Sequence, residues 1–196
     1  MSGQTATKRN QVVSAALGVF GRYGYRHTSM DLIAQAARMS RPAVYQHFKN
    51  KEEIFRSVGQ LIAERVTTAA WEAGKAGRPV ADRLYGALTV KLDLFAGTIE
   101  AQFRTELFSE AADIAEDVVQ SFEDGYRDVV EAVLTDCAGE LDLLGRALSA
   151  RDAAALLVDA LTGITQARQE PEILRARLRQ LVELTVRGLT SKPPEG

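Results

Sequence analysis

The chain of 196 residues contains one cysteine, Cys137, and two histidines, His27 and His47. A single thiol cannot form an internal disulfide, and so few soft ligands exclude a multi-cysteine zinc site. No stretch approaches the roughly 20 uncharged apolar residues that a membrane helix requires. The first eleven residues also lack the apolar segment of a secretion signal. We therefore expect a protein of a reducing, cytoplasmic compartment, with no membrane among its partners.

Prolines are also few, with 5 in the whole chain, and they leave long windows without the alternation typical of strands. Apolar residues recur at helical spacing instead. The first such set is Val13, Ala16, Leu17 and Phe20, and it predicts a helix over residues 8–23 that ends at Gly24. The same spacing predicts helices over 29–37, 41–48, 51–74, 79–97, 99–110, 113–138, 149–168 and 172–190. The expected fold class is all-α, with about nine helices.

The formal charge of −2 argues against a polyanion as a partner, but the charge is unevenly distributed. Residues 1–60 hold nine basic and three acidic side chains, a net charge of +6, whereas the remainder holds 15 basic and 23 acidic ones, a net charge of −8. This contrast predicts two modules, placed at residues 5–65 and 66–192, of which the first meets a polyanion and the second has another role. The alternative is that solvated charges are distributed unevenly by chance, with no relation to a partner.

Three helix-start signals follow one another between residues 28 and 51. Thr28 and Asp31 have the spacing of a capping box. Ser40 precedes Pro42, which suits the first turn of a helix, and Asn50 begins the same capping pattern before the long fourth helix. A short helix, a three-residue turn and a second short helix form a helix-turn-helix at about residues 28–48, whose second helix enters the DNA major groove.

Helical spacing sorts the residues of this second helix into two faces. Val44 and Phe48 are predicted to face the preceding helix. The opposite side then carries side chains that can contact base edges or phosphates, namely Arg41, Pro42, Tyr45, Gln46 and His47. Thr28 and Lys51 lie at flanking helix starts, where they could bind the sugar-phosphate backbone. Each has a plainer alternative: helix packing for Tyr45, a hydrogen bond between helices for His47, solvated charge for Arg41 and Lys51, and capping for Thr28.

The pattern resembles the signature of the TetR family of bacterial transcriptional regulators. The matching residues are Phe20, Gly24, Thr28, Ile33, Ala34, Ala37, Ser40, Ala43, Tyr45, His47, Phe48, Lys51, Glu52 and Phe55. The resemblance covers about residues 8–65. It implies that Thr28, Arg41, Tyr45, His47 and Lys51 lie at the DNA, with Pro42, Ala43 and Gln46 close to base edges.

Two positions depart from the family pattern. Arg38 stands where many members have glycine, which puts a left-handed backbone there in doubt, since a side chain would strain it. Pro42 stands where many members also have glycine, so this position has no backbone N–H with which to contact DNA.

The resemblance also implies a ligand pocket in the second domain. The proposed lining residues are Trp71, Phe95, Phe103, Phe108, Phe122 and Tyr126. Ordinary core packing is the alternative for each of them. Residues 100–142 hold 13 acidic side chains against two arginines. A cationic effector is one interpretation of this excess, and a solvated acidic face that keeps the domain off DNA is the favoured one.

The last two predicted helices carry apolar rows suited to self-association. These rows include Leu157, Leu161 and Ile164 in one helix, and Leu178, Leu181, Val182 and Thr185 in the other. We expect them to pair with their copies in a four-helix dimer interface, mainly because the resemblance implies one. Closure of an intramolecular core is the alternative.

Together these observations predict a homodimeric, sequence-specific repressor that binds an inverted-repeat operator and is released by a small-molecule effector. An activator is equally compatible with the residues, and a DNA-bound adaptor whose second domain binds a protein is the alternative function. An enzyme is not expected, because no nucleophile and base, metal-ligand cluster or phosphate-binding loop appears, and no cofactor is expected.

Overall fold

The computed structural model describes residues 2–100, 102–142 and 148–190, and it describes the side chains of all of these except residues 2–6 and 98. Within them the regular elements are eight α-helices and one short 3-10 helix, Ala138–Glu140. The α-helices are α1 (Ser2–Tyr23), α2 (Met30–Ala36), α3 (Arg41–Tyr45), α4 (Lys51–Ala73), α5 (Val80–Thr98), α6 (Arg104–Asp136), α7 (Ala150–Gln166) and α8 (Pro171–Thr190). The all-α prediction is confirmed. Within the described part of the chain, no helix is long and apolar enough to cross a membrane.

Three predicted helix boundaries were wrong, and each has a local cause. The first helix begins at Ser2 rather than residue 8 because no proline interrupts its polar first turns. The third ends at Tyr45: the amide of Gln46 still bonds four residues back to Pro42, but the amide of His47 bonds three residues back to Val44, which tightens the turn. The predicted helix 99–110 begins only at Arg104, and the break before the predicted helix 113–138 lies at Ala115 (φ −139°, ψ 40°), where α6 is kinked and two helical segments meet.

The described residues form two compact units. One contains residues up to 64 together with 97–120, and the other contains 65–96 together with the residues from 121 onward. The segment 97–120, expected in the second domain, therefore shares a unit with the helix-turn-helix. The domain boundaries at 5–65 and 66–192 stay a prediction.

Apolar side chains of α1, α2, α3 and α4 make the core of the first unit. Phe20 of α1 packs edge-on against Phe55 of α4, with ring centroids 5.0 Å apart, and Tyr25 contacts the same ring at 4.8 Å. The segment 97–120 is joined to these helices by polar contacts. Arg26 pairs with Glu110 at 2.7 Å, and Arg56 binds both the Asp117 carboxylate and the carbonyl of Ile114.

The second unit buries two cations among leucine and valine side chains. Arg83 donates to the carbonyl of Gly74, to the sulfur of Cys137 and to the carboxylate of Asp136. Lys91 is fully buried and donates to Glu123 at 2.7 Å and to the Thr162 hydroxyl at 3.1 Å. Cys137 is buried too, and burial raises the pKa of its thiol. A buried thiol with a raised pKa is poorly reactive, which agrees with a packing role.

The turn between α2 and α3 contains a left-handed residue that is not glycine. Arg38 has a φ of 53°, and its side chain is exposed. The doubt raised by the sequence is therefore resolved in favour of the left-handed geometry, which arginine adopts at a steric cost. The surrounding hydrogen bonds hold it there, since the amides of Arg38 and Met39 bond to the carbonyls of Gln35 and Ala34.

We predict that Arg38→Gly raises the free energy of unfolding by about 0.5–1 kcal/mol, because relief of left-handed strain exceeds the entropy that glycine adds to the unfolded chain. Urea denaturation followed by circular dichroism measures the change. Arg38→Ala is the matched control, since it removes the same charge but keeps the Cβ atom that causes the strain. A loss of stability in Arg38→Gly would contradict the assignment of strain.

Candidate nucleic-acid interface

Side-chain caps define the start of each helix around the predicted DNA-binding segment. The Ser29 hydroxyl accepts from the amide of Leu32 at the start of α2, and Ser40 accepts from Ala43 at the start of α3. At α4 the Asn50 side chain accepts from the amide of Glu53, whose carboxylate accepts in turn from the amide of Lys49. The predicted caps at Ser40 and Asn50 are confirmed. The cap expected at Thr28 was wrong by one residue, because Ser29 supplies the hydroxyl.

Thr28 is instead an internal residue of the turn before α2. Its side chain is 3% exposed, and its hydroxyl donates to the carbonyl of Gly24 at 2.7 Å. Gly24 has a φ of 73°, a left-handed conformation that glycine adopts without the strain a side chain would cause, and a Cβ there would lie 2.8 Å from the carboxylate of Glu106. The predicted contact of the Thr28 hydroxyl with phosphate therefore competes with a bond inside the protein.

The two faces of α3 are arranged as the helical spacing indicated. Val44 and Phe48 are fully buried, and the Arg9 guanidinium lies 4.5 Å from the Phe48 ring centroid and donates to Ser57. The exposed side chains are Arg41, Pro42, Tyr45 and Gln46, while Ala43 and His47 are partly covered. An aromatic used for helix packing would be buried, so a Tyr45 that is 43% exposed supports a surface role.

Lys51 faces inward more than the sequence indicated. Its ammonium donates to the carbonyl of Tyr25 at 2.8 Å and lies 4.0 Å from the centroid of the Tyr25 ring. Burial lowers the pKa of Lys51, an effect opposed by the charges of Glu110 and Glu106. Its contact with phosphate stays a prediction, and the ammonium has three N–H donors, so it can keep the Tyr25 carbonyl and still donate to a phosphate oxygen.

Asp31 contacts the exposed side of α3, which the sequence analysis did not anticipate. Its carboxylate lies 3.2 Å from the guanidinium of Arg41, whose central carbon is 5.6 Å from the centroid of the Tyr45 ring. The hydrogen bond from Arg41 to Tyr45 and the charge of Asp31 raise the pKa of Arg41. Asp31 and Arg41 lie in different helices, so helical periodicity carries no signal for this pair.

The net charge of the compact unit differs from that of the N-terminal sequence. Residues 1–64 and 97–120 together contain ten basic and ten acidic side chains. Arg26 and Arg56 are engaged by acidic partners from 97–120, whereas Arg38 and Lys49 are exposed beside α3. A positive DNA-binding surface therefore depends on the local cations around α3 rather than on the total of +6.

The six predicted pocket residues lie in both units. Phe103 and Phe108 belong to the first unit, and Phe103 lies 6.5 Å from the His27 ring. Trp71 is 46% exposed on α4. Phe95, Phe122 and Tyr126 are buried in the second unit, where the last two rings are 5.7 Å apart and the Tyr126 hydroxyl donates to the carbonyl of Ala87. A shared pocket for all six stays a prediction.

The predicted dimer residues divide by burial within one chain. Leu157, Leu161, Leu178 and Val182 are buried inside the second unit, so the alternative of an intramolecular core describes their packing. Ile164, Leu181 and Thr185 are partly exposed. Leu156 and Leu184, absent from the predicted set, are 61% and 69% exposed. Helical spacing locates an apolar row, but it does not say which edge of the row a neighbouring helix covers.

Residues 12–58 match the family model described as bacterial regulatory proteins of the tetR family. This segment contains α2, α3 and their connecting turn, together with parts of α1 and α4. The fold and the matched segment define a DNA-binding transcription regulator of the helix-turn-helix class. Residues 12–58 therefore belong to the TetR family of bacterial regulators, and the whole chain is similar to its members in fold.

Two curated relatives are similar over different lengths. The uncharacterized HTH-type transcriptional regulator YhgD of Bacillus subtilis is 28% identical over 133 residues, which cover 66% of this chain and 68% of YhgD. The HTH-type transcriptional repressor Rv1474c of Mycobacterium tuberculosis is 32% identical over 72 residues, or 37% of this chain and 38% of the repressor. The second match thus spans well under half of that relative.

Solved structures match most of the chain at low identity. The TetR family regulator PfmR from Thermus thermophilus has a TM-score of 0.69 at 20% identity, covering 91% of this chain and 98% of PfmR. Salmonella enterica GusR has a TM-score of 0.70 at 21% identity, covering 94% of this chain and 95% of GusR. These likenesses establish that the shared fold extends beyond the helix-turn-helix.

The buried hydroxyl of Thr28 leads to a test of its role. We predict that Thr28→Val lowers the free energy of unfolding by about 1–2 kcal/mol, because the carbonyl of Gly24 loses its buried donor. Thr28→Ser keeps the hydroxyl and should lose less. Urea denaturation measures stability, and titration of DNA at several salt concentrations measures phosphate contacts. A stable Thr28→Val protein with a reduced salt dependence would assign the hydroxyl to DNA instead.

Proposed function

We propose that this regulator is a ligand-responsive repressor that acts in the bacterial cytoplasm and binds a palindromic operator as a homodimer. The exposed face of α3 carries the proposal, because it presents a cation, an amide and an aromatic hydroxyl on a short helix that the core holds in place. The curated relatives that are named repressors support the direction of regulation.

Base readout is assigned to exposed residues at the start of α3 and to Gln46, which directly follows its last residue. Arg41 can donate to guanine, Gln46 can pair with adenine, and the Pro42 ring offers an apolar surface to a thymine methyl group. Tyr45 and His47 are placed to contact phosphates, and Ala43 permits a close approach to a base edge. Thr28 and Lys51 complete the proposed set at the flanking turns: Thr28 has one donor and must release its hydrogen bond to Gly24, whereas Lys51 has further donors beside the one that binds the Tyr25 carbonyl.

Self-association is assigned to the groove between α7 and α8. The groove has a volume of about 240 Å³ and is lined by Leu148, Ala153, Leu156, Leu157, Leu181, Thr185, Gly188 and Leu189. Its rim includes the exposed side chain of Leu156, and Leu184 is exposed on α8. An exposed apolar surface of this kind favours burial against a partner. A second copy is the proposed occupant, because a two-fold axis would align two α3 helices with the halves of an inverted repeat.

Effector binding is assigned to the interior of the second unit. Lys91 lies 5.2 Å from the centroid of the Phe122 ring and 5.5 Å from that of Tyr126, among the buried side chains of this unit. Burial lowers the pKa of Lys91, while the charge of Glu123 opposes that effect. A few polar groups inside an apolar environment are what a small-molecule site uses to orient its ligand. Small molecules that raise the melting temperature and release operator DNA would favour the repressor over the adaptor function.

We predict that selection from a random DNA pool, performed at two salt concentrations, enriches an inverted repeat. Gln46→Ala should change the preferred base at one position in each half-site, because the amide contacts a base edge. Lys51→Ala should leave the preferred sequence unchanged, weaken binding to all DNA and lower the salt slope by about 0.9 if the ammonium contacts one phosphate. Failure to enrich an inverted repeat would contradict the palindromic operator.

The proposed dimer is tested by placing charge on its apolar surface. We predict that Leu156→Glu and Leu184→Glu shift the protein from dimer to monomer, because a carboxylate buried in an apolar interface loses its hydration. Sedimentation velocity over a range of concentrations measures the shift. Tyr23→Glu is the matched control, since Tyr23 is exposed but lies outside the groove. Dimers that persist in both leucine variants would assign self-association to another surface.

A further inference from the structure

Asp31 is the one acidic side chain in the helix-turn-helix segment 28–48. It lies in the first turn of α2, and its carboxylate contacts the guanidinium of Arg41, the first residue of α3. The side chains of Asp31 and Arg41 are 64% and 57% exposed. A carboxylate on this surface is unfavourable for DNA binding, because it repels phosphates whatever the base sequence.

Stability does not account for the pair. Two long, solvated side chains gain little from an ion pair, because water screens the attraction and both lose conformational freedom. Asp31 does have a favourable position in the first turn of α2, where a negative charge complements the helix dipole. That effect requires only an acid at this position and not its contact with Arg41.

The geometry constrains where the Arg41 guanidinium can go. One Nη atom is held 3.2 Å from the Asp31 carboxylate, and the guanidinium carbon lies 5.6 Å from the Tyr45 ring centroid. A guanidinium has five donors, so one edge can stay on the carboxylate while another donates to a base. Without Asp31 the side chain keeps its hydrogen bond to Tyr45, but the edge that faced the carboxylate can reach the nearest phosphate, which is a sequence-independent contact.

We propose that Asp31 is a positioning residue that determines specificity: it holds Arg41 for a guanine edge and keeps it from phosphates in non-cognate DNA. The inference rests on the proposed contact of α3 with bases. Asp31 then lowers the affinity for non-cognate DNA in two ways: its carboxylate repels phosphates, and its ion pair keeps the Arg41 guanidinium from contacting them. Discrimination through a repulsive group is a general route to specificity.

The test compares Asp31→Asn with the natural protein, using the full chain, the selected operator and a random duplex of the same length. Asp31→Asn should bind random DNA about 3–10-fold more tightly, and its salt slope on that DNA should rise by about 0.9, as expected for one new phosphate contact. Affinity for the operator should change less, so the ratio of the two affinities falls. The preference for guanine at one position of each half-site should weaken.

Two further variants separate the causes. Glu72→Gln removes one negative charge from an exposed ion pair in α4, outside the helix-turn-helix, and it controls for net charge. In an Arg41→Ala background, Asp31→Asn should no longer raise the salt slope, because the guanidinium that would reach the phosphate is gone. Urea denaturation of each variant reports whether α2 is intact.

The possible outcomes distinguish the inference from the function on which it rests. The inference is wrong if Asp31→Asn raises the affinities for operator and random DNA by the same factor, which is the effect of net charge that Glu72→Gln controls for. It is also wrong if Asp31→Asn leaves the salt slope on random DNA unchanged. If Arg41→Ala leaves binding to the operator unchanged, the proposed base contact itself fails, and the inference fails with it. A slope that rises only when Arg41 is present supports the inference.

Discussion

The burial of Val44 and Phe48 is the constraint on which the candidate DNA-binding surface depends. A helix of five residues has too few hydrogen bonds to be stable in isolation, so α3 exists because the core of the first unit holds its inner face. Arg9 adds a second support by covering the Phe48 ring and bonding to Ser57. Because Val44 and Phe48 are held in the core, the backbone that carries the exposed side chains of Arg41, Tyr45 and Gln46 is held as well. Base readout requires side chains that are fixed in this way.

The distribution of charge has a different meaning in the folded protein and in the sequence. An N-terminal excess of positive charge first indicated a DNA-binding domain, and the helix-turn-helix agrees with it. In the compact unit, however, residues 97–120 supply acids that engage Arg26 and Arg56. We therefore expect DNA affinity to rest on a few cations around α3. When the positive surface is small, a single carboxylate such as Asp31 can have a measurable effect on the choice between specific and random DNA.

The second unit combines an apolar core with polar groups that have defined partners. Arg83 joins α5 to the end of α4 through Gly74 and to the end of α6 through Asp136 and Cys137. Lys91 joins α5 to α6 and α7 through Glu123 and Thr162. Buried charges of this kind are costly to break because the remaining partner loses its compensation. They restrict the helices to few arrangements, which suits a unit proposed to respond to a ligand.

The sequence alone determined the all-α class, most helix boundaries and the two faces of α3, because these depend on neighbours within four residues. Local capping also located the start of α3 at Ser40, although it could not choose between Thr28 and Ser29, since either hydroxyl can cap α2. Only the tertiary structure decided that Arg38 is left-handed, that Lys51 binds the Tyr25 carbonyl and that Asp31 contacts Arg41. It likewise decided which leucines of α7 and α8 are buried and which remain exposed. These features join residues that are distant in sequence or depend on how helices pack, and helical periodicity carries no information about either.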